Sequence, residues 1–291
     1  ADMVETEHYM DAGAESRRVK SRLPYGRYST EELIPVMLCD RDFNECRMQP
    51  YLWSKLFKRR LLEKHQMGAD STIQCGEDIA VVYTYILEAG SVYIAEYAGC
   101  HYVQRRDSIT GIGSMGSREA DRALIRYLKQ AFEADAGHSG VMLGQLNQYA
   151  KSMLLRQVSF FDRFPGGKKL MPFGGLEEGQ RAAVYGAGRM GKSVYRYLET
   201  ESSNGVVMWG DREYALYRQL GMPVVPPEEI VGNQEKYDKL FIAVSSRKLA
   251  RNIQDSLAGS GMDRGKMAWL TEEFISGSYD VLHPLLETGC G

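Results

Sequence analysis

No hydrophobic run in this chain approaches the roughly 20 residues that a membrane-spanning helix needs. Neither sign of charge is in excess, since 36 basic residues stand against 38 acidic ones, and a formal net charge of −2 argues against nucleic-acid binding. The five cysteines are odd in number and never in C-x-x-C spacing, which argues against a zinc site or a disulfide framework. We therefore predict a cytoplasmic protein in a reducing compartment.

The length is enough for two domains of ordinary size, with 291 residues of which 44% are hydrophobic. A join rich in proline and glycine, Phe164–Gly167 followed by Pro172–Gly175, is the best boundary between them. We predict domains at residues 1–163 and 171–291. Because the chain begins at Ala1 without an initiator methionine, we interpret it as an excised or processed fragment.

The two regions differ in the period of their apolar residues. In the first, helical spacing predicts helices with two strands between them, the helices at 30–38, 50–64, 79–87, 118–134 and 141–162 and the strands near 91–95 and 99–104. In the second, short apolar strands alternate with helices, the strands at 182–185, 206–209, 240–244 and 267–270 and the helices at 189–200 and 247–258. We predict an α/β protein whose second region holds a parallel sheet covered on both faces.

Three motifs of the first region stand in a recognisable order. They are Trp53-Ser54-Lys55-Leu56, Gly76-Glu77-Asp78 at the start of an apolar run, and Arg105-Arg106-Asp107-Ser108-Ile109-Thr110. Taken alone, an Asp before an apolar helix is usually an N-cap. In this order the motifs resemble the C-terminal half of bacterial family 2 (GT-A) glycosyltransferases, which build capsular and cell-wall polysaccharides. The resemblance implies transfer of a sugar from a nucleotide-sugar donor to a glycan or lipid-linked glycan.

By this resemblance Asp78 is the catalytic base, which takes the proton of the acceptor hydroxyl, and Glu77 lies beside it near the acceptor. Gly76 would leave room for the sugar. A helix N-terminus favours the anionic form of a carboxylate, so we expect Asp78 to be held ionised there. The resemblance also places the parent enzyme at the inner face of the membrane, and leaves peripheral membrane association and homo-oligomerisation open.

The remaining matched residues concern substrate and metal. Lys55 has two interpretations, a surface lysine beside packed apolar residues or a polar group of the site. Arg105, Arg106 and Ser108 match the segment that closes over the donor diphosphate, for which guanidinium groups are suited. His101 lies where some GT-A enzymes place a late metal ligand, although a lone histidine in a strand is more often structural.

One part of the family pattern is missing. The Asp-x-Asp that binds a divalent ion, Mg²⁺ or Mn²⁺, belongs to a preceding nucleotide-binding half. Asp40-Arg41-Asp42 has the spelling but follows no buried strand and lies far downstream of the expected place. We therefore expect this fragment to be inactive alone.

The second region carries Gly186-Ala187-Gly188-Arg189-Met190-Gly191, a G-x-G-x-x-G between a predicted strand and helix, with Asp211 at the end of the next strand. This context predicts a Rossmann-like site: Gly186 for the turn, Gly188 for phosphate approach, Gly191 for helix packing and Asp211 for a ribose hydroxyl. The letters also spell a P-loop, but no second metal-binding Asp follows a strand as an NTPase requires.

The second region resembles a small Rossmann-like domain often fused behind such transferases, and the N-terminal domain of sialic-acid-type acyltransferases. A nucleotide or nucleotide sugar suits so short a sheet better than NAD. Two alternatives stay open. One is an NAD-dependent oxidoreductase, which lacks visible hydride-transfer residues, and the other is a non-catalytic scaffold that senses a nucleotide sugar or docks a partner.

Overall fold

The computed structural model describes residues 1–12, 15–39, 46–73, 76–103, 118–155, 172–200, 205–276 and 281–287. The chain divides into two compact units, one formed by Ala1–Ala150 with Asp280–Gly291 and the other by Lys151–Tyr279. Most of the predicted join lies outside the described residues. The chain end, which the predicted second domain included, belongs to the first unit. The protein is mixed α/β.

The first unit is built on a curled mixed sheet. Its strands are β1 (Met3–Ala12), β2 (Glu15–Val19), β3 (Gly26–Ser29), β4 (Lys55–Phe57) and β5 (Ser91–Val103). The order is β2-β1-β5-β3, and β4 also pairs with β1. The central β1–β5 pair is parallel, and the β1–β2, β1–β4 and β3–β5 pairs are antiparallel. The two strands predicted at 91–95 and 99–104 are one strand, β5, with an irregularity where its register against β1 shifts.

The first unit also contains helices. They are α1 (Thr30–Leu33), α2 (Arg59–Gly68), α3 (Glu77–Glu88), α4 (Arg118–Ala134), α5 (Ser139–Leu154) and, at the chain end, α11 (Leu282–Glu287). Seven consecutive residues of α3, from Ala80 to Ile86, are buried, so α3 is the central helix of the unit. This explains why its sequence is apolar on every side. The helix predicted at 30–38 ends as a regular helix at Leu33.

The helix predicted at 50–64 is wrong in its first half. Lys55–Phe57 is strand β4, which pairs with Met3–Glu5 of β1, and the helix begins at Arg59. The signal for the longer helix is a set of apolar residues near helical spacing. Strand pairing with β1 across some 50 residues outweighs this local preference, as tertiary contacts often do.

The second unit contains the predicted parallel sheet. Its strands β6 (Ala182–Tyr185), β7 (Val206–Gly210), β8 (Lys239–Ile242) and β9 (Met267–Ala268) lie in the order β7-β6-β8-β9. A single parallel bridge between Gly210 and Val225 extends the sheet beyond β7. Helices α6 (Arg189–Thr200), α7 (Tyr214–Gln219), α8 (Pro227–Gly232), α9 (Arg247–Gly259) and α10 (Glu272–Ser276) alternate with the strands. All four residues of β6 are buried, as expected for a central strand covered on both faces.

Among the described residues, no helix combines the length and the apolar character that crossing a membrane requires.

Candidate functional sites

Asp78 is the second residue of α3, not its N-cap. The cap is Gly76, whose φ of 90° lies in the left-handed region. Asp78 instead reaches the loop before β4, where its Oδ2 accepts a hydrogen bond of 3.3 Å from the amide of Leu52. Its Oδ1 has no hydrogen-bond partner among the described residues, and Glu77 is exposed beside it. The carboxylate is thus held by one oxygen.

Burial dominates the electrostatics of Asp78. It raises the pKa of this carboxyl above its ordinary value, against the lowering effects of the Leu52 amide and the Lys55 charge. The sequence predicts that the helix N-terminus favours the ionised form, and desolvation moves the pKa in the other direction. A raised pKa makes the carboxylate a stronger base, which suits proton abstraction.

The presence of glycine at position 76 is explained by backbone conformation and packing rather than by a sugar. A Cβ at this position would lie 2.7 Å from Cδ2 of Leu124, on α4. The glycine is therefore required by its positive φ and by the close packing of α4. The expectation that Gly76 leaves room for substrate is not what its surroundings show.

Lys55 is fully buried, which overturns the interpretation of it as a surface lysine. Its Nζ lies 3.3 Å from Oε2 of Glu5 and donates to the carbonyl oxygens of Gln49, at 2.5 Å, and Tyr51, at 2.9 Å. Burial lowers the pKa of Lys55, and the charge of Glu5 opposes this. With three protein acceptors the amine holds the 49–52 loop in place, and that loop supplies the amide bound by Asp78. A direct substrate contact would require these bonds to break.

Glu5, which sequence reasoning missed, completes this network. Its Oε1 accepts from Oγ of Ser21 at 3.0 Å, and its Oε2 accepts from the Gln49 amide at 3.2 Å. Glu7, two residues on, is also buried and binds Arg18 and the hydroxyl of Tyr25, both at 2.5 Å. Two glutamates two positions apart in a strand lie on the same face of a sheet, and this spacing could have indicated the buried acidic pair.

His101 pairs with one acidic residue. Its Nδ1 lies 2.9 Å from Oδ2 of Asp11, and its ring stacks on Tyr9 with centroids 4.8 Å apart. Within the described part of the chain, no group of three or more His, Cys, Asp or Glu side chains is arranged to hold a metal ion. The described residues therefore do not fit a divalent ion, and the observed role of His101 is in the Asp11 pair.

Two predicted elements cannot be placed. Arg105, Arg106 and Ser108 of the diphosphate segment lie outside the described residues, as does the Asp40–Asp42 segment.

In the glycine loop between β6 and α6, Gly186 and Gly191 occupy positions that a side chain would not fit. Gly186 has a φ of 109°, and a Cβ there would lie 3.0 Å from the Ala243 carbonyl oxygen. A Cβ on Gly191 would lie only 1.8 Å from the carbonyl oxygen of Gly186, so α6 packs directly on the loop backbone. Gly188 is different, because nothing lies within 4 Å of its would-be Cβ. The loop is closed at its two ends and open at Gly188.

Asp211 is brought to the loop, but not as a free ribose acceptor. Its Oδ2 accepts a hydrogen bond of 2.6 Å from the amide of Ala187, and its Oδ1 accepts one of 2.7 Å from the amide of Glu213. The indole of Trp209 fixes the loop from below by donating to the Gly186 carbonyl at 2.9 Å. The Ala187 amide, which a phosphate would use, therefore already donates to the Asp211 carboxylate. The first amides of α6 lack partners within the helix.

A cavity of about 310 Å³ also lies in the second unit, along the edge of β7. Its lining includes Tyr195, Trp209 and Lys236 but neither Gly188 nor Asp211. It is therefore a separate feature and adds nothing to the glycine loop as an anion site.

The chain matches no protein-family model, no curated protein and no solved structure. We therefore infer the function from the surroundings of Asp78 and from the glycine loop.

Proposed function

We propose that the first unit is the acceptor side of a family 2 inverting glycosyltransferase with a GT-A type architecture. It would transfer a sugar from a nucleotide-sugar donor to a glycan or lipid-linked glycan. One observation carries the proposal: the half-buried Asp78 carboxylate is held through Oδ2 by a backbone amide, with Oδ1 unpartnered among the described residues. This is the arrangement expected of a positioned general base.

In the proposed reaction, Asp78 accepts the proton of the acceptor hydroxyl as that oxygen attacks the anomeric carbon of the donor. The new carbon–oxygen bond forms as the bond to the diphosphate breaks, and the nucleoside diphosphate leaves with the electron pair. Attack opposite to the leaving group inverts the anomeric centre. The burial that raises the pKa of Asp78 favours its part in the step, since the carboxylate accepts a proton more readily.

The test is the Asp78→Asn substitution in the enzyme that carries this chain. An amide cannot accept the proton, so we expect sugar transfer to fall about 10²–10⁴-fold. Donor binding should stay within about twofold, because the step lost is proton transfer. Asp70→Asn, in an exposed turn of the same unit, is the matched control and should transfer sugar at the wild-type rate. Wild-type turnover by Asp78→Asn would remove Asp78 from the mechanism.

For the second unit we propose a Rossmann-like nucleotide site, with a nucleotide or nucleotide sugar as ligand. Counting the Val225 bridge as a rudimentary third strand, the sheet runs Val225-β7-β6-β8-β9, which in chain order is 3-2-1-4-5. The first five strands of the six-stranded dinucleotide fold have this same order, and in that fold the loop after the first strand lies at the switch point, which supports the proposed site. The open face at Gly188 supports phosphate approach.

A calorimetric titration of the full chain with UDP-sugars, NAD(H), ATP and S-adenosylmethionine tests this site. We expect the chain to bind UDP-sugars selectively. Gly188→Val should abolish this binding, because the valine side chain would fill the open face of the loop. Selective NAD binding would favour the oxidoreductase alternative. No binding by any of the four would leave a docking role for this unit and overturn the nucleotide site.

A further inference from the structure

Three aromatic rings near Asp78 form two stacked pairs that share Trp53. Tyr51 and Trp53, from the loop before β4, stack with centroids 5.3 Å apart, and Trp53 stacks on Tyr102 of β5 at 5.4 Å. In each of these two pairs the angle between the ring planes is at most 17°. Tyr51 is 41% exposed and Trp53 37%, although both are large rings that folding would normally bury.

The loop that presents these rings is rigidly held. Bonds to its backbone come from four separate elements: Nζ of Lys55 to the Tyr51 carbonyl, Oγ1 of Thr6 to the Ser54 carbonyl, Sγ of Cys100 to the Trp53 carbonyl, and Oδ2 of Asp78 from the Leu52 amide. The buried ring of His8 adds an edge contact to Trp53, at 4.7 Å, from within the fold. An exposed aromatic surface fixed this firmly loses little entropy when a ligand binds.

Tyr51 is the ring of this group that is most open to a ligand. Trp53 stacks with both other rings, whereas Tyr51 has ring contacts only with Trp53 and, nearly perpendicular at 6.0 Å, with His8 among the described residues. The hydroxyl of Tyr51 has no hydrogen-bond partner there either. Tyr51 is close enough to Asp78 that the charge of Asp78 contributes, after burial and other neighbours, to the raised pKa of the phenol.

The chemistry of this surface selects a ligand class. An aromatic face carries negative partial charge and attracts the positive edge of C–H bonds. A pyranose ring presents such C–H bonds on a flat face and hydroxyl groups around its rim. Within the described part of the chain, the phenol of Tyr51 and Oδ1 of Asp78 have no hydrogen-bond partner, and both are able to bind rim hydroxyls. An acyl chain or an apolar protein surface would leave these two polar groups without a partner.

We propose that Tyr51, supported by Trp53 and Tyr102, is the platform on which one pyranose ring of the acceptor glycan stacks, with a hydroxyl of that glycan directed to Asp78. This rests on the function proposed above for the first unit and adds the group that holds the acceptor. It assigns Tyr51 to acceptor binding and leaves proton transfer to Asp78.

The test is saturation-transfer NMR and calorimetry on the full chain with cellohexaose, maltohexaose and tetra-N-acetylchitotetraose, with acyclic sorbitol as a control. We expect at least one oligosaccharide to receive saturation at its ring C–H protons from aromatic protein protons, and sorbitol to receive none. Tyr51→Ala should weaken that binding at least tenfold. Tyr51→Phe, which keeps the ring face, should stay within about threefold, and Tyr93→Ala, which removes an exposed ring from β5, should not change it.

Each outcome decides a separate point. Wild-type affinity in a folded Tyr51→Ala variant, or no binding of any oligosaccharide to the wild-type chain, would overturn the platform. So would self-association of the chain that disappears in Tyr51→Ala, since the stack would then be a dimer contact. Asp78→Asn should bind the oligosaccharide within about twofold. If transfer in the intact enzyme is insensitive to Asp78 but binding still needs Tyr51, the platform stands and the transferase proposal fails. If Tyr51→Ala leaves the acceptor KM unchanged and Asp78→Asn abolishes transfer, the transferase proposal stands and the platform fails.

Discussion

The two candidate sites are held together by different kinds of contact. At Asp78 the geometry depends on side chains, above all on a buried lysine that joins Glu5 to the carbonyls of the 49–52 loop. At the glycine loop it depends on backbone, with the absence of side chains at Gly186 and Gly191 allowing main-chain atoms to meet. The first site should therefore be sensitive to loss of charge, and the second to added volume.

The largest expected effect is that of Lys55→Met. The substitution leaves Glu5 as a buried charge without its cation and leaves two carbonyl oxygens without their donor. Removing one partner of a buried ion pair costs about 3–5 kcal/mol, so the free energy of unfolding of the first unit should fall by that amount. Urea unfolding followed by circular dichroism measures it.

The matched control is Lys64→Met, since Lys64 pairs with Glu88 on the exposed surface of the same unit. Exposed pairs contribute at most about 1 kcal/mol. If Lys55→Met is as mild as Lys64→Met, the side-chain network does not hold the first site, and the contrast between the two sites fails.

A second prediction addresses the backbone contact. In Gly191→Ala, the new methyl group would overlap the Gly186 carbonyl oxygen, so the loop or α6 must shift, at a cost of about 3 kcal/mol. Gly188→Ala, three residues earlier, adds the same methyl group into open space and should change stability by less than about 1 kcal/mol. Thermal unfolding of the two variants, compared with hydrogen exchange in β6 and β8, measures the difference.

Equal destabilisation by the two alanines would mean that the loop does not distinguish its glycines by space. Destabilisation by Gly188→Ala alone would reverse the assignment of which glycine faces a ligand. Only the predicted asymmetry, with Gly188→Ala stable, makes the Gly188→Val binding test above interpretable.

The same contrast explains what could be predicted from sequence. The glycine loop is local: strand β6 and helix α6 have the predicted bounds, because the propensity of each segment and its place in the sheet agree. Lys55 is not local. Its partner Glu5 lies 50 positions away, and its own segment reads as a helix until β4 pairs with β1.

The aromatic stack could not be predicted for the same reason. Trp53 and Tyr102 are 49 positions apart, and no spacing in the sequence indicates that their rings meet. Asp211 shows the limit even for a local motif. Its position after β7 is predictable, but its bond to the Ala187 amide depends on how two loops approach each other.

The smallest expected effect is a pH dependence of stability that differs between the two units. All five histidines of the chain belong to the first unit and none to residues 151–279. Burial lowers the pKa of His8 and of His65 below the ordinary 6.5. The unfolded chain then binds more protons than the folded one as the pH falls from about 6.5 toward the lowered values. The stability contributed by each buried neutral histidine is complete above pH 6.5 and is therefore lost in that window, by about 1.4 kcal/mol for each pH unit that the window spans.

His138 has the opposite sign, because hydrogen bonds to Glu31 and Asp135 raise its pKa. Its contribution is present below pH 6.5 and is lost as the pH rises through the higher value, but this side chain lies at the surface, where such pairs are weak. We therefore expect hydrogen exchange, corrected for its intrinsic pH dependence, to show weaker protection of α3 at pH 5.5 than at pH 7.5, with β8 unchanged. His8→Phe keeps a ring against Trp53 without a titrating group and should reduce the response of α3 to the part that comes from His65, which contacts Thr84 of α3. An equal loss of protection in β8 would show that acid acts on something other than these buried histidines, because that unit has none to protonate.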